Sequence, residues 1–208
     1  MTGVQTCALP ICFPVTIVRC GTNWKQVSSF LNHVAAVKTD GTLWTWGANA
    51  SSQLGRPALS LYEYIPVTTF AGGTNWADTA TTAAEDLYTL SAGANFSAAI
   101  KTDGTLWVWG IGALGVLGTN DTINRSTPVT TFAGGTDWKQ VSSGSDHIAA
   151  VKTDGTLWVW GNGNNGRLGN NATTNRSTPV TTFAGGTNWL LHYFQVFRCY
   201  HYPIPIRN

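Results

Sequence analysis

The stretch Lys152 to Gly161, KTDGTLWVWG, stands unchanged at Lys101 to Gly110 and again at Lys38 to Gly47 with Thr45 in the place of a valine. An Asp-Gly pair between two apolar runs marks a β-hairpin, because both residues tolerate the positive φ of a tight two-residue turn. Each copy carries two tryptophans two positions apart: Trp44 and Trp46, Trp107 and Trp109, Trp158 and Trp160. On a strand each pair shares one face, while Leu43, Leu106 and Leu157, with Val108 and Val159, point to the other. A strand that is apolar on both faces has to be covered on both. Each hairpin is therefore expected to lie between neighbouring sheets.

A second marker, Gly-Thr-Asn/Asp-Trp, sets Trp24, Trp76, Trp138 and Trp189 at intervals of 52, 62 and 51 residues. Self-similarity of this length means a propeller, solenoid or array. Four short strands per unit, with the PVTTF segment as the fourth, place one repeat at residues 13–65, a second at 66–127, a third at 128–178 and the start of a fourth at 179–189. The second unit is longer, and its extra residues fall near 77–87, as an inserted loop or short helix. Asn124 to Thr136 and Asn175 to Thr187 are identical, which points to recent duplication.

The two ends depart from this pattern. Gly3 to Ile11, GVQTCALPI, matches the translation of a common short-read sequencing adapter, so residues 1–12 are expected to be a non-native leader. After Trp189, residues 190–208 match nothing upstream, as a shifted frame or chimeric read would produce.

Val141 to Val151, VSSGSDHIAAV, followed by the hairpin and by Trp160 to Gly169, WGNGNNGRLG, resembles the repeat of the regulator of chromosome condensation family. The first unit keeps His33 and Gln53-Leu54-Gly55 but has Phe30 where the motif has glycine; the second keeps Gly93 and has Phe96 in the histidine position. The resemblance implies an all-β fold, a partial β-propeller of four-stranded blades from an expected ring of seven. It also implies partner binding through a rim, and a non-enzymatic protein-interaction scaffold whose protein partner it does not choose. The family includes exchange factors for a small GTPase and an inhibitor of a β-lactamase, so an exchange-factor-like regulator is one alternative. A carbohydrate-binding propeller, with rim tryptophans stacked on sugars, is another. The nearly identical Thr- and Asn-rich units resemble bacterial repeat proteins of the cell surface or exterior.

Composition narrows the chemistry. Charged residues are 11% of the chain, against about 25% in ordinary domains, and 12 basic against 10 acidic side chains leave a net charge of +2. With no clustered basic stripe, direct nucleic-acid binding is not expected. No apolar run of about 18 residues points to membrane insertion. His33 and His147 have no paired acid or base and read as structural. Asp40, Asp103 and Asp154 sit in turns, where aspartate serves the backbone. Cys7, Cys12 and Cys20 lie at the start and Cys199 in the off-pattern tail, and with His192 and His201 they form no standard zinc set. Nothing requires a catalytic residue, cofactor or metal. The glycine-rich loop Gly161 to Gly169 lacks the ending of a phosphate loop.

Recognition is then expected in the loops that differ among units, 48–63, 111–124 and 162–175, and in the insert. The charged residues there, Asp78, Glu85, Asp86, Asp121, Arg125, Arg167 and Arg176, are the candidate partner contacts. An open arc of blades would also leave two apolar faces bare, so self-association is expected.

Overall fold

The computed structural model describes residues 23–57, 60–76 and 89–189, with twelve strands. The first sheet holds β1 (Trp24–Phe30), β2 (His33–Lys38), β3 (Leu43–Ala48) and β4 (Tyr62–Thr68). The second holds β5 (Leu90–Ala92), β6 (Phe96–Ile100), β7 (Leu106–Gly110) and β8 (Arg125–Thr130). The third holds β9 (Trp138–Ser143), β10 (His147–Lys152), β11 (Leu157–Gly161) and β12 (Arg176–Thr181). Each sheet is antiparallel with its strands side by side in chain order. The sheet and the repeat are out of phase by one strand: Pro66 to Thr68 close the sheet that Trp24 opens, and Pro128 and Pro179 do the same in the next two.

First strands of successive sheets touch one another, β1 against β5 and β5 against β9, so the sheets fan out from their first strands as blades do. The apolar core lies between them. Ala35, Val37 and Leu43 of blade 1 pack with Trp76, Leu90, Ala99 and Trp109 of blade 2. Phe96, Ala98, Leu106, Val108 and Leu117 of blade 2 pack with Trp138, Ile148 and Trp160 of blade 3. This is the two-sided covering that apolar residues on both faces of one strand demand.

The hairpins form where expected, but the turn is a different one. Gly41 N–H donates to the Lys38 carbonyl at 2.9 Å and Lys38 N–H to the Thr42 carbonyl at 3.0 Å. Only the glycine has positive φ, +77° at Gly41, +77° at Gly104 and +79° at Gly155. This is a three-residue loop closed by a glycine bulge. Its reason is the aspartate side chain: Asp40 Oδ1 accepts from Thr42 N–H at 2.9 Å and from the Thr42 hydroxyl at 2.6 Å, which fixes Asp40 on the ordinary side of φ. Thr42 Oγ1 in turn accepts the Trp44 indole at 2.7 Å. Blades 2 and 3 repeat the relay through Asp103, Thr105 and Trp107, and through Asp154, Thr156 and Trp158. The bonds from threonine hold all three carboxyls below the usual carboxylate range.

The lysine that opens each motif lies over two indoles. Lys38 Nζ is 5.0 Å from the Trp24 ring and 4.1 Å from Trp44, and Lys101 and Lys152 sit likewise over Trp76 and Trp107, and Trp138 and Trp158. The whole motif KTDGTLW is thus one local device. It seals the turn end of a blade with an aromatic pair capped by its own cation.

Candidate protein-binding rim

Each blade presents two ends. One carries the Asp-Gly turns and the links to the next blade; the other carries the loops between first and second strands and between third and fourth.

At the turn end, the turn glycine binds the following blade. Trp76 N–H donates to the Gly41 carbonyl, Trp138 N–H to that of Gly104 and Trp189 N–H to that of Gly155, all at 3.1 Å. Past the last strand of each blade stands a phenylalanine at the same position: Phe70, Phe132 and Phe183. They are exposed by 72%, 65% and 76%. Phe70 and Phe132 stay about two-thirds exposed or more with a described blade after them, so that blade does not bury this position.

At the loop end the candidate charges meet. Arg125 Nη2 pairs with Asp121 Oδ2 at 2.6 Å. Burial pushes the Asp121 carboxyl up, but bonds from Ile123 N–H, the Thr119 hydroxyl and Arg125 outweigh it and hold the group below its ordinary range. Arg167 Nη1 pairs at 2.6 Å with Asp146, which also accepts the Asn162 amide at 2.6 Å. Arg176 occupies the place of Arg125, but Ala172 stands where Asp121 would pair with it. Arg176 is exposed and has no ion-pair partner among the described residues. In blade 1 the same place holds Glu63, which like Arg125 and Arg176 faces the last glycine of the third strand. Asp78, Glu85 and Asp86, with the insert at 77–87, lie outside the described residues, as do all four cysteines, His192 and His201.

The repeat histidine joins blades. His33, 2% exposed, lies with Nε2 at 2.9 Å from the Ser97 hydroxyl of blade 2, and Ser97 Oγ also lies 3.2 Å from the Gln53 carbonyl. Burial pushes the His33 imidazole down to about 4, against an ordinary 6.5. Between blades 2 and 3 the same positions hold Phe96 and Ile148, both fully buried. A base with a lowered folded pKa leaves the folded state with fewer protons than the unfolded one between the two values. Stability is complete above pH 6.5 and falls as the pH drops from 6.5 to about 4, by about 3 kcal/mol for a shift of this size. His147, half-buried beside Asp146, shifts the same way, mainly by burial. Urea midpoints at pH 7.5 and 4.5 check this: the drop is expected in the parent chain and to shrink sharply in His33→Phe. An equal drop in both would contradict the assignment.

Nine of the ten tryptophans are buried or half-buried; only Trp189 counts as exposed. At the turn end the indoles of Trp44, Trp107 and Trp158 donate to threonine hydroxyls, and those of Trp76 and Trp138 to the Gly72 and Gly134 carbonyls.

Four-stranded antiparallel sheets packed face to face around their first strands define a β-propeller. Family models described as the regulator of chromosome condensation (RCC1) repeat match residues 89–115 and 138–167, and 103–151 and 154–189. The chain carries regulator of chromosome condensation repeats within residues 89–189. It is 31% identical over 159 residues to the RCC1 domain-containing protein RUG3, mitochondrial, of Arabidopsis thaliana, covering 75% of this chain and 31% of that protein. The ultraviolet-B receptor UVR8 of Arabidopsis thaliana is 30% identical over 152 residues, which cover 72% of this chain and 32% of UVR8. Among solved structures, yeast RCC1 (Prp20) bound to Kap60 superposes with a TM-score of 0.61 at 21% identity, over 78% of this chain and 38% of that one. The chain thus spans about a third of the length of these relatives.

Proposed function

We infer that the protein is a non-enzymatic scaffold that binds a protein partner across its turn-end rim. The observation that carries this is the row Phe70, Phe132 and Phe183, exposed in every blade at one position. Single exposed apolar residues are ordinary; an aromatic repeated at one position in three successive blades gives a row of separate anchors, and aromatic anchors are what protein interfaces use. The blades set the spacing of these anchors, so binding orders their side chains but not the backbone that carries them. Similar propellers bind proteins: yeast RCC1 has been solved with Kap60, and Prp20p has been studied for its binding to Gsp1p and histones. On the loop end, Arg176 is the charged candidate left for a partner, since Arg125 and Arg167 are engaged by Asp121 and Asp146.

A photo-cross-linking residue at Phe132, in extract of the source cells, tests the reading. A discrete protease-sensitive adduct is expected, lost when Phe70 and Phe183 are both serine. No adduct, or one of the same yield without its flanking phenylalanines, would contradict it.

A further inference from the structure

The joint between blades 1 and 2 carries a chain of hydrogen bonds that the joint between blades 2 and 3 replaces with apolar side chains. His33 of β2 lies with Nε2 at 2.9 Å from the Ser97 hydroxyl of β6, and that hydroxyl donates to the Gln53 carbonyl at 3.2 Å. Trp109 Nε1 donates to the same carbonyl at 2.9 Å. Because the Ser97 proton is committed to Gln53, Nε2 carries the imidazole proton and Nδ1 is left as a bare acceptor. Nδ1 is buried and has no partner among the described residues. A second proton would arrive there as a charge and as a donor with nothing to receive it, on a ring that is 2% exposed.

Among the described residues no charge offsets that proton. β1 sets Phe30 opposite His33 and β3 sets Gly47 there, with Glu63 of β4 one strand further out across Gly47. β5 and β6 hold no titratable residue. The connector after β3 offers its Gln53 carbonyl, and its charged residue, Arg56, comes only after Gly55. Burial disfavours the charged ring and outweighs the Phe96 backbone, which favours it. In the joint between blades 2 and 3 the places of His33 and Ser97 are taken by Phe96 and Ile148, both fully buried, while Trp160 Nε1 still donates to the Val116 carbonyl at 2.9 Å. That joint keeps the indole bond and has nothing to protonate at those two places.

We propose that the joint between blades 1 and 2 is an acid-operated hinge: a proton on His33 Nδ1 parts blade 1 from blade 2, while blades 2 and 3 stay packed. Opening breaks the bond from Trp109 to Gln53 and bares the apolar faces that the joint covers, Ala35 and Leu43 on one side, Leu90 and Ala99 on the other. The carboxyls of Asp40, Asp103, Asp121 and Asp146 are held below their ordinary range and stay mostly charged at pH 4.5, so they do not drive it. His147, the other described histidine, sits beside Asp146 in blade 3 and is left in place by changes at His33.

Exchange of the Trp109 and Trp160 indole protons in the whole 208-residue chain, followed by nuclear magnetic resonance at pH 7.5 and 4.5, tests this. Taking the ratio of the two rates cancels the acid and base catalysis that both indoles share. From pH 7.5 to 4.5 the ratio of Trp109 to Trp160 is expected to rise about 70-fold, the factor for a ring with a pKa of about 4 when closed and 6.5 when open. His33→Phe and His33→Gln take no proton there, and in each the ratio is expected to stay level. Slow exchange of Trp160 shows that a variant is folded, and Gln keeps a donor for Ser97 where Phe does not. A ratio that stays level in the parent, or Trp109 and Trp160 quickening together, would overturn the proposal. So would a rise of the parent's size in a folded variant, since another group would then be titrating.

Discussion

Trp109→Ala is expected to lower the unfolding free energy by about 4 kcal/mol, the cost of emptying a fully buried aromatic site. Trp109 is fully buried, meets Trp76 edge-on at 6.1 Å between ring centroids, and gives its indole proton to the Gln53 carbonyl. Removing it opens a cavity between two blades and strands an acceptor, so both terms act together. Trp46→Ala deletes the same residue at the same place in blade 1, but from a half-buried face with no hydrogen bond among the described residues, and should cost only about 1–2 kcal/mol. Urea titration of the two variants under conditions where the chain is monomeric separates them. Equal losses would mean that the blades do not pack through this joint. Against a total stability of about 5–15 kcal/mol, the larger loss would put the chain near its unfolding limit.

Gly104→Ala comes next in size. At φ +77° an L-residue is strained, and a Cβ there would fall on the Thr136 carbonyl of the following link. Relief requires the turn to move off that link, which breaks the bond from Trp138 N–H to the Gly104 carbonyl. A loss of about 3 kcal/mol is expected from strain, overlap and the lost bond together. Gly134→Ala is the control: φ is +57° and a Cβ would meet nothing within 4 Å, so only the conformational part, about 1 kcal/mol, remains. Similar urea midpoints for the two variants would show that the turn does not clasp the next blade.

These comparisons also mark what could be read from the residues in order. The hairpins, the two tryptophan faces and the family were legible because each is written in local spacing and repeated three times. The turn type was not. Asp-Gly allows a two-residue turn, and the threonine after it decides otherwise by bonding Asp40, Asp103 and Asp154 from outside the pair. Nor could Trp46 be told from Trp109, since their strands are nearly the same and only the neighbouring blade differs. On the rim, charge was a poor guide. Arg167 is engaged by Asp146, 21 residues away in another loop, a pairing that no local pattern announces. Phe70, Phe132 and Phe183 are identical in every unit, so variation among the units does not mark them. Their signal was present all the same: PVTTF carries its phenylalanine two residues beyond the strand's end, where no sheet face is left to bury it.

Hydrogen exchange of the tryptophan indole N–H groups, followed by nuclear magnetic resonance, tests most directly whether the blades are locked as propeller blades. Trp109 and Trp160 are expected to exchange most slowly, because their protons lie buried between blades on the Gln53 and Val116 carbonyls. Trp44, Trp107 and Trp158, bonded to turn threonines and only half-buried, should exchange far faster. If Trp109 and Trp160 exchange as quickly as those three, the sheets are not packed against one another in solution, and the blade architecture described for this chain is wrong.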